Sequence, residues 1–289
     1  MKPPPLKYAR PDDLSDVLTL LAQHGDEAKL LAGGQSLMPM LNFRLIRPSV
    51  LIDLSAVSGM DSLTVDGGTL IAGAMVRQTS AKQSHEVSAT TPLVVQALRH
   101  VGHLQIRNRG TIGGSLAHAA PAAELPAVAL ILDAEMVLRN SRADRIVHAS
   151  DFFRGPFTTA ANPDEVLTEI RFHNVAGSRT TFLELARRAG DFALAGVAAL
   201  VRVGSDARTI SEARLAAIGV SGEPMRLSEA EVVITGAPCT RETFLEAGVA
   251  AARQVTTFTD LHATAEYRKE MLAVLVSRAL SEVAAPWDR

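Results

Sequence analysis

The stretch LLAGGQSLMPML (residues 30–41) runs an apolar strand into Gly33-Gly34, adds the small polar pair Gln35-Ser36, and turns apolar again. Paired glycines lose much backbone entropy on folding, so a pair at this point implies backbone that must be free of side chains. The pattern returns in RNRGTIGGSLAHAAPAAELP (107–126), where Gly113-Gly114 is again followed by serine and leucine. One such pair is an ordinary turn; two with the same ending point to one ligand held from two sides. Successive N–H groups in a glycine-rich turn form a concave set of donors for phosphate oxygens, and a serine hydroxyl adds another. Neither stretch is the G-x-G-x-x-G of a dinucleotide-binding βαβ unit or the G-x-x-x-x-G-K-[ST] of a P-loop. The expectation is a diphosphate held between two glycine loops, against the plainer alternative of two tight turns. On that expectation, valine at Gly33 or Gly114 expels the ligand by filling phosphate space and leaves the fold largely intact.

Outward from these loops the chain alternates helix and strand. DDLSDVLTLLAQHG (12–25) has an amphipathic spacing, an acidic start and a closing glycine, and predicts a capped helix. AKLLAGG and PSVLIDLS (48–55) read as strands, giving a small strand–helix–strand unit over the first 57 residues. SLTVDGGTLIAGAM (62–75) is a hairpin around Asp66-Gly67-Gly68. A helix is expected over 91–102, closed by Gly102, then helix and strand over ELPAVALILDAEMVLRN, and a strand over 164–173. The polar break NVAGSRTT (174–181) is the best boundary, followed by three strands and two long helices of an α+β unit. The expected division is 1–57, 58–176 and 177–289.

Bulk properties narrow the function. The chain has 289 residues, is 47% hydrophobic, and carries 29 Lys+Arg against 31 Asp+Glu, a net charge of −2. That balance, with only 4% aromatic residues, argues against nucleic acid as the main partner. The longest apolar stretch, LPAVALILDAEMVL, is broken by Asp133 and Glu135 and is too short to span a bilayer. With no apolar segment of a secretory signal near Met1, the expected location is the cytoplasm.

Cys239 is the single cysteine, so the chain offers neither a disulfide pair nor the four thiolates of an iron–sulfur cluster. His100 and His103, three apart on the expected helix, with His118 and Glu124 imitate a metal site, but no H-E-x-x-H or comparable set accompanies them and no metal is expected. LARRAGDFALAG (185–196) sets Arg187, Arg188 and Asp191 at a strand reversal, either an exposed turn or the mouth of a ligand site. No G-x-S-x-G or other nucleophile pattern occurs, and no catalytic acid or base is assigned.

Taken together, LLAGGQSLMPMLNFRL, RNRGTIGGSLAHA and ARRAGDFALAG resemble the FAD-binding medium subunit of molybdenum hydroxylases, over nearly the whole chain and in the same order. That family includes carbon monoxide dehydrogenase, quinoline oxidoreductase and the FAD domain of xanthine dehydrogenase. The resemblance implies an α+β protein with the vanillyl-alcohol-oxidase (PCMH)-type fold, in which two α/β subdomains clamp an extended FAD and a C-terminal α+β domain follows. It implies that Leu31, Ala32, Gly33, Gly34, Gln35, Ser36 and Leu37 hold one side of the FAD pyrophosphate, and that Thr111, Ile112, Gly113, Gly114 and Ser115 close on it from the other. Val101 and Gly102 would line the cofactor, Glu124 would contact it where the family usually has Asp, and Leu167 would lie near one of its ends. Arg188 and Asp191 would lie close to the isoalloxazine. The family often reads HADP where this chain has His118-Ala119-Ala120-Pro121, so a carboxylate is missing at Ala120.

The implied activity is that of a flavoprotein oxidoreductase subunit. It receives electrons from two [2Fe-2S] clusters on a small partner subunit and passes them through FAD to an external acceptor. A large partner subunit carries molybdopterin, in a dimer of heterotrimers. AGGQS and GGSLAHA sit closer to members that oxidise N-heterocycles than to carbon monoxide enzymes. The alternatives are a free-standing FAD oxidoreductase of the same fold and a non-catalytic scaffold subunit.

Overall fold

The computed structural model describes residues 2–284. Its first segment contains strand β1 (Lys7–Ala9), helix α1 (Leu14–His24), strand β2 (Ala28–Leu31), the short helix α2 (Leu37–Asn42) and strand β3 (Val50–Asp53). Helix α1 forms as its sequence dictates. Asp13 caps it by accepting from the Ser15 N–H at 2.6 Å, Gly25 ends it at φ 49°, and Val17, Leu18 and Leu21 form its buried stripe. The three strands pair in parallel in the order β1-β3-β2. Gly33-Gly34 therefore leave the carboxyl end of a parallel strand, the edge at which such sheets open ligand crevices.

The next segment opens with β4 (Leu63–Asp66) and β5 (Thr69–Gly73). Gly67 and Gly68 both take positive φ, 53° and 84°, as a two-residue hairpin turn of this twist requires. Six helices follow: α3 (Gln78–Gln83), α4 (His85–Thr90), α5 (Pro92–Leu98), α6 (Leu104–Arg109), α7 (Ile112–His118) and α8 (Glu124–Ile131). Then come β6 (Glu135–Arg139), β7 (Asp144–His148), α9 (Ala149–Phe152), the small ribbon β8 (Phe153–Gly155) and β9 (Thr158–Thr159), and β10 (Val166–His173). The sheet order is β4-β5-β10-β6-β7, antiparallel throughout. Helix α8 is apolar on every side after Glu124, and Leu125 to Ile131 are all buried.

Two local features depart from expectation. The second glycine motif is not a loop but the first turn of α7, with Thr111 as its N-cap. The helix expected over 91–102 ends at Leu98, because Gly102 turns the chain at φ 42°, and His103 starts α6 instead. His100 and His103 therefore share no helix face.

The last segment is an antiparallel sheet of β11 (Arg179–Ala186), β12 (Ala193–Val203), β13 (Ile210–Ile218) and β14 (Met225–Arg226), in that order. Helices α10 (Ser228–Ile234), α11 (Arg241–Gln254) and α12 (Ala265–Ala284) complete it. Strand β12, ALAGVAALVRV, is almost continuously apolar because both its faces are covered. Ala195, Val197, Ala199 and Val201 pack with the helices, whereas Ala198 and Leu200, together with Phe182 of β11, join the core of the preceding segments. The second face thus docks this sheet onto the rest of the molecule, and even-numbered residues of β11 point into the junction.

Candidate functional site

The carboxyl end of β2 supplies the first component. Among the described residues, none accepts a hydrogen bond from the backbone N–H of Gly33, Gly34, Gln35, Ser36 or Leu37. Gly34 lies at φ 73°, which folds the run into a concave turn, and Gln35 braces it by donating from Nε2 to the Gly33 carbonyl at 3.2 Å. Ser36 stands at the N-cap of α2 without a side-chain cap bond, so its hydroxyl is uncommitted there. A row of free amides backed by glycine is the donor set that an anionic oxygen cluster requires.

The second motif is built differently. The Ile112 and Gly113 amides donate to Val76 and Ala74 carbonyls, both at 2.9 Å. The Gly114 amide donates to Thr111 Oγ1 at 2.9 Å, and the Ser115 amide to the Thr111 carbonyl at 3.2 Å. These donors are spent within the protein, so the two motifs are not equivalent cradles. What the second contributes is proximity. A Cβ on Gly33 would stand 2.5 Å from the Arg109 carbonyl oxygen and 2.7 Å from Gly110 Cα, and one on Gly113 would stand 2.7 Å from Ala74 Cα. One on Gly114 would lie 2.6 Å from Thr111 Oγ1 and 3.2 Å from Ala32 Cβ. Gly33 lets backbone meet backbone where the two motifs join, and Gly113 does the same where α7 starts against the end of β5. The expectation that valine at Gly33 or Gly114 acts by filling phosphate space is corrected accordingly: at both positions the added carbon first strikes protein.

Cations gather around the junction. Arg77 donates to the Arg109 carbonyl, and its pKa is lowered by burial and by the Arg109 charge. Arg107 donates to the Val101 and Gly102 carbonyls at 2.7 and 2.9 Å, holding the bend before α6. The Lys82 pKa is lowered by partial desolvation and by Arg107 and Arg99. Oε1 of the buried Gln78, beside Gly110, has no hydrogen-bond partner. Free amides, mutually repelling cations and an unpaired amide oxygen fit a phosphorylated ligand that also carries hydrogen-bond donors.

Beside the junction a polar cleft of about 430 Å³ separates α5–α6 from the end of β11. Arg99, His100, Gly102, His103, Arg107, Glu184 and Arg188 are among its lining residues. The turn bearing Arg188 and Asp191 is exposed, and Gly190 seats it on the bend, since a Cβ there would stand 2.7 Å from His103 Cε1 and 3.1 Å from the Gly102 carbonyl carbon. Burial lowers the His100 pKa, and its ring meets Phe182 at 5.4 Å. Burial raises Glu124 to about 7, and burial with the Glu124 charge raises Glu184 to about 8.

Residues 4–173 match the family model for the FAD binding domain in molybdopterin dehydrogenase, and residues 180–283 match the CO dehydrogenase flavoprotein C-terminal domain. This chain belongs to the FAD-binding medium subunits of the molybdenum hydroxylases. It is 38% identical to the nicotine 6-hydroxylase medium subunit of Paenarthrobacter nicotinovorans, with 99% of each chain covered. It is 36% identical to the caffeine dehydrogenase subunit beta of Pseudomonas sp. (strain CBB1), covering 98% of this chain and 96% of that one. Among solved structures, a carbon monoxide dehydrogenase from Hydrogenophaga pseudoflava superposes with a TM-score of 0.95 at 35% identity, over 99% of both chains. The fold is accordingly the PCMH-type FAD-binding fold expected from the sequence, and the cofactor of this subunit is FAD. No helix among the described residues is long and apolar enough to cross a membrane.

Within this medium subunit the structure brings Ala32 and Gly33 of the first motif against the 109–114 segment, and Gly102 against the turn that carries Arg188. Leu167 stands apart in β10, buried at a bulge in the pairing with β6. Val101 is buried, with its carbonyl held by Arg107, and Ala120 is buried where the family often has its carboxylate. Sequence reading missed Gln78, His100 and Glu184 as site residues. For Glu184 the signal was an acid inside the apolar run TFLELA, at an even-numbered position of β11.

Proposed function

We propose that this medium subunit receives electrons from two [2Fe-2S] clusters on a small partner subunit and delivers them through FAD to an external acceptor. A large subunit holding molybdopterin oxidises the substrate, and the heterotrimer pairs into a dimer of heterotrimers in the cytoplasm. The substrate class is an N-heterocycle. That preference is supported by the AGGQS sequence and by nicotine and caffeine enzymes among the relatives. The proposed organisation is a first FAD-binding subdomain over 1–57, a second over 58–176 and a C-terminal domain over 177–289.

The observation that carries the reading is the run of unpartnered amides from Gly33 to Leu37 beside the N-terminus of α7. The amides of Gly33 to Leu37 would hold the diphosphate oxygens and the Ser36 hydroxyl would add another donor, while α7, capped by Thr111, fixes the backbone against which the first motif packs. Arg77 and Arg107 set the positive field and the shape of the bend. FAD supplies the redox chemistry; the chain binds and orients it and controls access through the cleft. No side chain of this subunit needs to act on an organic substrate.

Purification of the untagged protein from its source, with a visible spectrum and a denaturing gel, tests the reading. Flavin with iron–sulfur absorbance and two co-purifying chains is expected. Flavin on a single chain refutes the subunit assignment in favour of a free-standing oxidoreductase.

A further inference from the structure

Helices α11 and α12 cover the face of the last sheet that turns away from the FAD-binding segments. A Cβ on Gly248 would collide with the Ala273 carbonyl, so the two helices meet backbone to backbone there. On one side of that crossing lies a groove of about 450 Å³, walled by Arg241 and Leu245 of α11 and by Val274, Arg278 and Ser281 of α12. Cys239, just before α11, also lines it. Leu245 is 50% exposed, Val274 39%, and Val249, one turn beyond Leu245, 47%. A spacing of four puts Arg241, Leu245 and Val249 on one face of α11. A helix that only closes a core turns polar residues outward, so an apolar stripe on the outer face of this layer is a surface to be covered.

The charges on that face define what covers it. Among the described residues the Arg241 and Arg278 side chains have neither a hydrogen bond nor an ion pair, and no acidic side chain lines the groove. Glu282, next to Ser281, accepts from Thr181 Oγ1 at 2.8 Å and so faces β11 instead. A second copy of this chain fits poorly. Laid antiparallel with Leu245 against Val249, it would set Arg241 opposite Arg253, which is also exposed. We propose that the groove docks a partner subunit of the complex through an amphipathic helix. Its apolar side chains cover Leu245, Val249 and Val274, and its carboxylates pair with Arg241 and Arg278. A planar guanidinium meets a carboxylate with two parallel hydrogen bonds, and a helix laid in an apolar groove is anchored at successive turns. The inference rests on the multi-chain reading above. The groove shares no residue with the glycine motifs or the polar cleft, so assembly and flavin binding are separable.

The test is co-production of this chain with its partner chains, in wild type, R241E/R278E and L245S, with flavin content measured first. Wild type should elute as the complex. The double reversal should keep FAD and lose the partner, with the dissociation constant raised about 30-fold or more, as for a broken interfacial charge pair. L245S should weaken assembly in the same direction. Full flavin with wild-type assembly in R241E/R278E overturns the docking site. Should the variants fail to fold, Cys239 of the wild type decides the matter, because it lines the groove and is the single thiol of the chain. Its alkylation, followed by the mass of its peptide, should be seen in the isolated chain and lost in the complex, and equal rates overturn the proposal. Self-association of the isolated wild-type chain that R241E/R278E abolishes overturns it in favour of a second copy. A wild-type chain that purifies alone with flavin overturns instead the subunit reading beneath the proposal.

Discussion

Gly33→Ala isolates the junction on which the FAD cradle depends. The added Cβ would stand 2.5 Å from the Arg109 carbonyl oxygen and 2.7 Å from Gly110 Cα, both backbone atoms that cannot swing aside. Contacts of that kind are not tolerated below about 3 Å, so the segments must part by about 0.5 Å or more. Overpacking of this sort costs about 1–3 kcal/mol of stability. The displaced row of amides also loses at least one hydrogen bond to charged phosphate oxygen, worth about 1.5–3 kcal/mol net. The FAD dissociation constant should therefore rise about 10- to 150-fold. Gly236→Ala is the matched control, since Gly236 has φ 82° in open space within the C-terminal segment. It carries only the left-handed strain of about 1–2 kcal/mol. The assay is fluorescence titration of deflavinated protein with FAD, beside thermal unfolding of both apoproteins. Gly236→Ala should lower the apo Tm and leave the FAD Kd unchanged, whereas Gly33→Ala should move both. Wild-type FAD affinity in Gly33→Ala would refute the cradle.

Thr111→Ala removes the cap that holds the Gly114 amide, and should cost about 1 kcal/mol in urea unfolding while weakening FAD. Arg268 is 2% exposed, donates to the Leu194 and Gly219 carbonyls and to Asp260, and lies 4.6 Å from the Phe258 ring. Arg268→Met should destabilise the protein by about 3–5 kcal/mol by stranding those partners, read as a lowered urea midpoint. Burial works against the Asp260 charge, but the His262 and Ala263 amides and Arg268 outweigh it and bring its pKa to about 2. A depressed carboxyl stabilises the fold above its unfolded pKa, so this contribution should fade as pH falls from about 4 to 2, and it should be smaller in Arg268→Met, where only the His262 and Ala263 amides still hold the carboxylate. Glu184 has the opposite sign. Its raised pKa makes wild-type stability decline as pH rises from about 4.5 to about 8 and level off above that, so apo E184Q should gain Tm over wild type at pH 9 and not at pH 4. Burial raises the Cys239 thiol, so alkylation by iodoacetamide at pH 7.5 should be slower than for a free thiol.

Much of this architecture was written locally in the chain. The Asp13 and Gly25 caps, the Gly67-Gly68 hairpin and the two-sided apolar run of β12 each follow from a few adjacent residues, and so appear where the sequence places them. The first glycine motif was legible for the same reason, since a strand, two glycines and a serine define a turn without reference to anything distant. The second was legible as a motif but not in its role. That Thr111 begins a helix, and that Val76 and Ala74 consume the amides of Ile112 and Gly113, depends on a segment more than thirty residues away. Glu184 escaped for a related reason. A glutamate in a strand is usually on its solvent face, and only the docking of β11 against the α5–α6 bend turns this one inward.

The glycines of the site share one geometric function that explains why they mark it in sequence while so few of its ligand-binding donors do. Gly33 meets Arg109 and Gly110, Gly113 meets Ala74, and Gly190 meets Gly102 and His103, each at a distance that no Cβ would permit. These contacts join the parallel sheet to the α6–α7 turn, that turn to the end of β5, and the β11–β12 turn to the α5–α6 bend. A cofactor stretched across several chain segments needs those segments fixed to one another before it binds, because each one ordered on binding would subtract from affinity. Glycine junctions provide that fixing through backbone contact, leaving the free amides of one motif to hold the ligand. Substitutions at Gly113 and Gly190 should therefore weaken FAD without altering any group that touches its phosphates. In such variants the loss of affinity should track the loss of apoprotein stability, whereas in Gly33→Ala affinity should fall further than stability alone accounts for.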